Sequence, residues 1–537
     1  MRIEPIKIDN KNKLIQDYRE QKPTIISYFD YGYMEFNNRL KEIKTRSYQR
    51  QELVEVLTQL NNDWQAPDAT LQNIERMRDE NSVVVIGGQQ AGLLTGPLYS
   101  VNKVISIIQL AKQQEEELGV PVIPVFWIAG EDHDFEEINH VYINRDQKMK
   151  KVKVGQRVLD KRSISQIELE HVDVSHFVKT VLEELRETEY TKEISTLVET
   201  CLNESTTYVD FFAQLILKLF NDSGIVLVDS GHALVRKLES QYFLKMIQKQ
   251  EEISNSVYIS FKELTENGYP ISLDVTKENG HLFYHKDKER ILLSRNREGN
   301  WVGKQDEVIL TTEELQQVAI STPELLSNNV VTRPLMQDLV FPTLAFIGGP
   351  GEISYWSVLK SAFHTLDMKM PPVVPRLSFT LVDRKADKLL GKYNIPIESA
   401  INGKVGDIRD AWFKEKINPP IEETVSEIKA VITKAHEPLR KIAKEIRSDI
   451  NELAEKNLEI LIQDVEFLEK RIFKVLEERY QKELAEYAIL ENLLNPNGLQ
   501  ERIWNPLPFL NQYGINFFKE LSTHACSFEN EHFVVYV

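Results

Sequence analysis

Residues 83–130 constrain the fold of this chain more than any other stretch. A run of branched apolar residues, VVVI, stops at Gly87-Gly88; a glycine-dotted turn, QQAGLLTGP, follows; a helical pattern then begins near Pro97. Val104, Ile107, Ile108 and Ala111 recur on one face of that helix, and VPVIPVFWIAG, residues 120–130, reads as a second buried strand. Strand, helix and strand in this order make a βαβ crossover, whose right-handed form places both strands in one parallel sheet.

Further strands extend the same sheet. GIVLVDS, residues 224–230, follows the apolar helix VDFFAQLILKLF; PTLAFIGGPGEISYW, residues 342–356, repeats the Ile-Gly-Gly ending; PPVVPRLSFTLVD, residues 371–383, closes it. The expected architecture is α/β, a doubly wound parallel sheet assembled from residues 81–145, 206–249 and 329–384. A mainly helical region, 1–80, packs on that core, with Leu53, Val56, Leu57 and Leu60 at helical spacing. Residues 146–205 form a first, polar insertion. Residues 250–328 form a second, in which GYPISLDV, HLFYHKDKERILLS and WVGKQDEVIL suggest a small antiparallel sheet.

Beyond residue 384 the pattern changes. Leu461, Val465, Leu468, Ile472 and Val475 step by four and three, a heptad seam, within a helical domain spanning 385–494. Pro438 suits the first turn of a helix, so the expected arrangement is a turn near His436 and then one helix of about 57 residues, about 85 Å long. Such a helix cannot bury its seam alone; an antiparallel neighbour or a second subunit is required, and a homodimer is expected. The turn-rich tail, 495–537, packs back on the body.

Composition excludes several classes. A formal charge of -17 in 537 residues argues against nucleic-acid binding, which needs a basic surface. No apolar run is long enough to span a membrane, and MRIEPIKIDNKNK lacks the apolar segment of a signal peptide. Cys201 and Cys526 stand far apart, which speaks against a disulfide framework and against a thiolate zinc site, and fits a reducing cytoplasm.

Ligands of open parallel sheets bind beyond the carboxyl ends of the strands. The first strand ends in Gly87, Gly88, Gln89 and Gln90, with Thr95 and Gly96 beyond and Tyr99, Asn102 and Lys103 on the next helix; glycines let backbone amides approach an anion. This spacing matches neither a dinucleotide fingerprint nor a P-loop. The second strand ends in Glu131, Asp132, His133 and Asp134, carboxylates crowded around an imidazole, suited to holding an ammonium, to holding a magnesium ion or to general base catalysis. The later strand ends in Gly348 and Gly349, with Glu352, Tyr355 and Trp356 behind; Arg333, Gln337 and Asp338 lie just upstream and Arg376 just downstream, the arginines being natural partners for carboxylates. No nucleophile motif of the G-x-S-x-G kind is present, nor a thiol beside a histidine.

GGQQAGLLTGPLYSVNK, VFWIAGEDHDFEEINH, RPLMQDLVFPTLAFIGGPGEISYW, PPVVPRLSFTLVD and PNGLQERIWNPLPFL together resemble the cysteine-adding ligase family of bacillithiol biosynthesis, over the whole of 1–537. The resemblance implies a Rossmann-like core akin to the nucleotidyl-transferase domain of class I aminoacyl-tRNA synthetases, with inserted subdomains and a dimerising coiled coil. It implies a reaction: the carboxyl group of cysteine joins the amine of glucosaminyl-malate to give bacillithiol. ATP or another adenine nucleotide is the implied co-substrate, magnesium its optional companion ion, and zinc is not expected. Neither an H-x-G-H motif nor a lysine loop of the K-M-S-K-S kind is present, so adenylate formation does not carry over with the fold. The alternative function is a non-catalytic nucleotide- or carboxylate-binding dimeric scaffold.

Overall fold

The structure, a computed structural model, describes residues 1–9, 12–145, 148–417 and 420–537. The expected start of the first insertion, at residue 146, lies outside them.

The expected βαβ unit is present. Strands β1 (Val83–Gln89) and β2 (Val122–Ile128) pair in parallel and are joined by the helix Leu98–Leu118. Strands β3 (Val226–Asp229), β4 (Thr343–Gly348) and β5 (Val373–Pro375) complete a five-stranded parallel sheet in the order β5-β4-β1-β2-β3. The chain therefore winds outward from β1 in one direction and then in the other, so β1 and β4 flank the switch point of a doubly wound sheet. Both faces are covered, which is why these strands read as unbroken apolar runs: Val83, Val84, Val85, Ile86, Phe126, Leu227, Phe346 and Val374 are all buried. Each such side chain contributes roughly 1.5–3 kcal/mol of burial.

The N-terminal helices cover the β3 edge. Asn61, on the helix Arg50–Asp63, accepts from the Leu227 amide and donates to the Leu227 carbonyl, while the Thr70 hydroxyl donates to Ile225. An edge that would otherwise template pairing with another chain is thereby satisfied.

Residues 371–383 do not form one strand. β5 ends at Pro375, and the chain turns out of the sheet; Ser378 and Thr380 flank the buried His532 side chain, and the Phe533 amide donates to the Ser378 carbonyl. The second insertion carries the expected antiparallel sheet, built from Asn279–Lys286, Glu289–Arg295, Trp301–Val302, Ile309–Leu310 and Leu326–Asn328. GYPISLDV is not among its strands; this segment, with Pro270 inside it, runs between a helix and the sheet without ladder pairing.

Residues 381–499 belong to a second compact unit, made of helices. Tyr393, Trp412, Tyr480 and Tyr487 form an aromatic cluster within it, with Tyr393 and Tyr487 ring centroids 4.4 Å apart. The expected turn near His436 is displaced. One helix runs through Ile421–Ile446 with Pro438 inside it, the chain reverses at Arg447, and Ser448–Arg479 and Gln481–Leu494 follow, so no uninterrupted helix of the expected length forms. The first two are antiparallel neighbours: Lys429 pairs with Glu466, His436 with Asn457, and Arg440 with Glu455. Of the heptad residues, Val465 is partly covered, whereas Leu461, Leu468, Ile472 and Val475 are exposed.

Candidate functional site

The carboxyl ends of β1, β2 and β4 converge on a set of polar side chains. Lys103, on the helix after β1, is buried and directs its ammonium back to the Gly88 carbonyl at 2.6 Å, Gln89 Oε1 at 3.2 Å and Glu352 Oε2. Glu352 also accepts from the Gly349 amide at 2.8 Å, capping the helix after β4. Burial lowers the Lys103 pKa, and the Glu352 carboxylate opposes that shift.

Gln89 continues the chain of contacts. Its Nε2 donates to Gln90 Oε1 at 3.3 Å, and Gln90 Nε2 donates to Asp132 Oδ2 at 3.1 Å and to Glu137. Asp132 Oδ1 in turn accepts from the His133 amide at 2.8 Å and from Arg290 Nη1 at 3.3 Å. A continuous polar path thus runs from Glu352 and Lys103 at the switch point to Asp132 and His133 at the end of β2.

Arg290 comes from the antiparallel sheet of the second insertion. It is buried, stacks on the Phe283 ring at 3.7 Å, and donates to the Asn328 carbonyl at 2.7 Å and the Ser327 hydroxyl at 3.1 Å. Its Nη1 also lies 3.1 Å from His133 Nδ1. Burial, reinforced by this guanidinium, holds the His133 imidazole below its ordinary pKa. A ring kept neutral next to a partly exposed carboxylate is suited to accept a proton.

Glu131 differs from its neighbours. It is buried, and its Oε2 accepts from Arg236 Nη2 at 2.6 Å and the Asn328 amide at 2.9 Å; Arg236 also holds Glu239. Around β4 and β5, Arg333 donates to the Tyr355 hydroxyl and, at 3.4 Å, to Gln337 Oε1, and lies 5.8 Å from the Phe346 ring centroid. Arg376 makes a bidentate pair with Glu501, at 2.9 and 2.7 Å, and Glu501 Oε2 accepts from Asn102 at 2.7 Å.

The family described as "Bacillithiol biosynthesis BshC, N-terminal Rossmann-like domain" matches residues 1–377, and "Bacillithiol biosynthesis BshC, C-terminal coiled-coil domain" matches 379–537. The chain belongs to the BshC family. A relative from Oceanobacillus iheyensis, described as "Putative cysteine ligase BshC", is 46% identical over 543 residues, covering 100% of both chains. Relatives with the same description from Bacillus cytotoxicus and Bacillus cereus are 42% and 40% identical, covering 97% and 100% of each chain.

Within this BshC-family fold the residues expected from sequence divide into groups. Gln89, Gln90, Lys103, Asp132, His133 and Glu352 come together, with Tyr99 beside them: burial raises its pKa, and the Glu137 carboxylate adds to the rise. Arg333, Gln337 and Tyr355 form a second group, and burial pushes the Tyr355 phenol upward.

Others are engaged in packing. Asp338, expected to bind ligand, is buried in an ion-pair cluster with Arg39 and Arg46 from the N-terminal region. Trp356 is stacked on Phe346 with centroids 4.4 Å apart. The Thr95 side chain lines an apolar pocket with Leu94, Leu215 and Leu507. Asp134 is exposed at the start of the helix Phe135–Ile138. A Cβ on Gly88 would lie 2.6 Å from the Trp127 carbonyl oxygen, and one on Gly87 3.1 Å from the Ile347 carbonyl, so these glycines let neighbouring strands approach. Gly348 is held more loosely, with contacts from 3.3 Å, and Gly349 serves as an N-cap.

Arg290, Arg236 and Glu501 escape sequence reasoning. Arg290 lies in a hairpin with no signal beyond its charge, 158 positions from Asp132. Glu501 stands in the QERIWNP stretch that marks the family, but Glu520, Glu529 and Glu531 share the tail with it, so its charge alone does not single it out. Among the described residues no group of three or more His, Cys, Asp or Glu is placed to hold a metal ion, and no helix is long and apolar enough to cross a membrane.

Proposed function

We propose that this protein is the ligase that joins the carboxyl group of L-cysteine to the amine of glucosaminyl-malate, forming the amide of bacillithiol in the cytoplasm. Family membership and the relatives' description as cysteine ligases support the pathway and the reaction class. The observation that carries the reading is the polar path Glu352–Lys103–Gln89–Gln90–Asp132, which has a buried cation at one end and a carboxylate with a neutral imidazole at the other. Amide formation needs both: a cation to hold an anionic group, and a base to take the proton of the attacking amine.

In this reading His133 accepts the proton from the amine at Nδ1, the nitrogen that Arg290 contacts, as the guanidinium shifts to Asp132; Arg333 holds substrate carboxylate or phosphate oxygens, and Lys103 does so by exchanging Gln89. Gln337 Nε2 and Trp127 Nε1 are buried donors without a hydrogen-bond partner among the described residues, and are available to ligand oxygens. Arg376 would bind a malate carboxylate only by exchanging Glu501, so we assign it to holding the tail. A free carboxylate does not condense with an amine in water, so ATP or another adenine nucleotide, with magnesium, is proposed as the source of activation. A second copy of the chain, docked along the exposed heptad residues, is proposed as its partner.

The test is reconstitution: purified protein, cysteine and glucosaminyl-malate, with and without ATP and a chelator, with bacillithiol read by thiol labelling and mass spectrometry. Product formation lost on His133→Ala supports the reading. Binding of glucosaminyl-malate without product under every condition supports the scaffold reading instead.

A further inference from the structure

The turn between β1 and the helix Leu98–Leu118 holds three successive residues at positive φ: Leu94 at 52°, Thr95 at 73° and Gly96 at 72°. Glycine enters this region freely, whereas a leucine and a β-branched threonine bring Cβ against the backbone. Both side chains are buried in the apolar pocket walled by Ile194, Val198, Leu215 and Leu507, where the Thr95 hydroxyl has no hydrogen-bond partner among the described residues. One local bond closes the turn, from the Gly96 amide to the Leu93 carbonyl at 2.9 Å, and the Thr95 hydroxyl adds none. Such outliers persist where surrounding structure over-determines them.

Here that structure is the C-terminal segment. Asn505 is buried, and its Nδ2 donates to the carbonyl oxygens of Leu94 and Gly96, both at 2.8 Å. Its Oδ1 accepts from the Leu507 amide at 2.8 Å, which fixes the orientation of the side chain. Beside it, the Trp504 carbonyl accepts from the Leu98 amide at 2.7 Å. That amide lies in the first turn of a helix and has no partner within it. The same segment supplies Glu501, which holds Asn102 one helical turn further on.

We propose that Asn505 is a positioning residue of the site. It holds the left-handed turn at Leu94, Thr95 and Gly96, and so sets where the following helix presents Tyr99 and Lys103 to the ends of β1 and β4. Asn505 touches no reacting atom; it acts through the backbone of the turn. The activity part of its test rests on the ligase reading, and the backbone part does not.

Asn505→Asp keeps the oxygen that accepts from Leu507 but replaces the donor with a carboxylate facing two carbonyls. In the substrate-free protein, hydrogen exchange across 92–98 should quicken about tenfold, and the KM for glucosaminyl-malate should rise about tenfold with kcat changed less. Thr95→Gly placed in the same chain removes the worst of the strain, so it should return exchange across 92–98 toward that of the native protein. Native exchange and native KM in Asn505→Asp would overturn the proposal, as would a double variant exchanging as fast as the single one. Should Asn505→Asp fail to fold, a soluble double variant supports the proposal and an insoluble one overturns it. If the native protein turns over no glucosaminyl-malate, the ligase reading falls and the exchange measurements decide the role of Asn505 alone.

Discussion

Arg290 and Asp132 meet at 3.3 Å although they come from different sheets, one from the inserted antiparallel hairpin and one from the end of β2. The contact also places the guanidinium against the His133 ring, so a residue of the insertion adds to the burial that holds the pKa of a core residue down.

Arg290→Gln removes a cation that disfavours imidazolium at His133. The expected outcome is a rise in the His133 pKa toward its ordinary value, followed by NMR of the ring protons. The acid limb of the pH–rate profile should move to higher pH with it, because more of the ring is protonated at a given acidic pH. An unmoved titration would show that burial alone sets the charge state.

Asp229 ends β3 in full burial, and burial pushes its carboxyl up to about 6, against the pull of the Gly231 amide and the Ser165 hydroxyl. A raised carboxyl binds its proton more tightly folded than unfolded. Its contribution to stability is therefore complete below about pH 4 and is lost as pH rises through about 6. Asp229→Asn retains the accepting oxygen and carries no charge. It should stabilise the protein at pH 7.5 by on the order of 2 kcal/mol and flatten stability between pH 4 and 7, as measured by urea unfolding.

Gly88→Val places a side chain where even a Cβ meets the Trp127 carbonyl at 2.6 Å. Strands β1 and β2 must separate to admit it, at a cost of about 3 kcal/mol or more. Thermal stability and ligand binding should fall together. Binding lost at an unchanged melting temperature would mean that the glycine serves the ligand and not the sheet.

Replacing Leu461, Leu468 and Val475 together by Glu should convert a dimer into a monomer in sedimentation, with little loss of melting temperature. These side chains are 38%, 59% and 45% exposed, so the protomer does not depend on their burial. A dimer that survives would place the interface elsewhere.

What the sequence determined by itself was local. The strands of the central sheet were legible because burial on both faces demands unbroken apolar runs; their ends were legible only roughly, since β1 runs through Gly87 and Gly88 to Gln89. Gln89, Gln90, Asp132 and His133 could be named because they sit directly on those ends. The reversal at Arg447 was not legible, since the turn contains neither glycine nor proline, while Pro438 sits inside a helix held by contacts to its antiparallel neighbour. Tertiary structure alone decided which charges pair. Arg376 meets Glu501 from 125 positions away, Arg236 meets Glu131 from 105, and Asn505 reaches Leu94 from 411. A charged side chain carries no local mark of its partner; a buried one must find that partner wherever the fold brings it, because an unpaired charge away from water is too costly to keep.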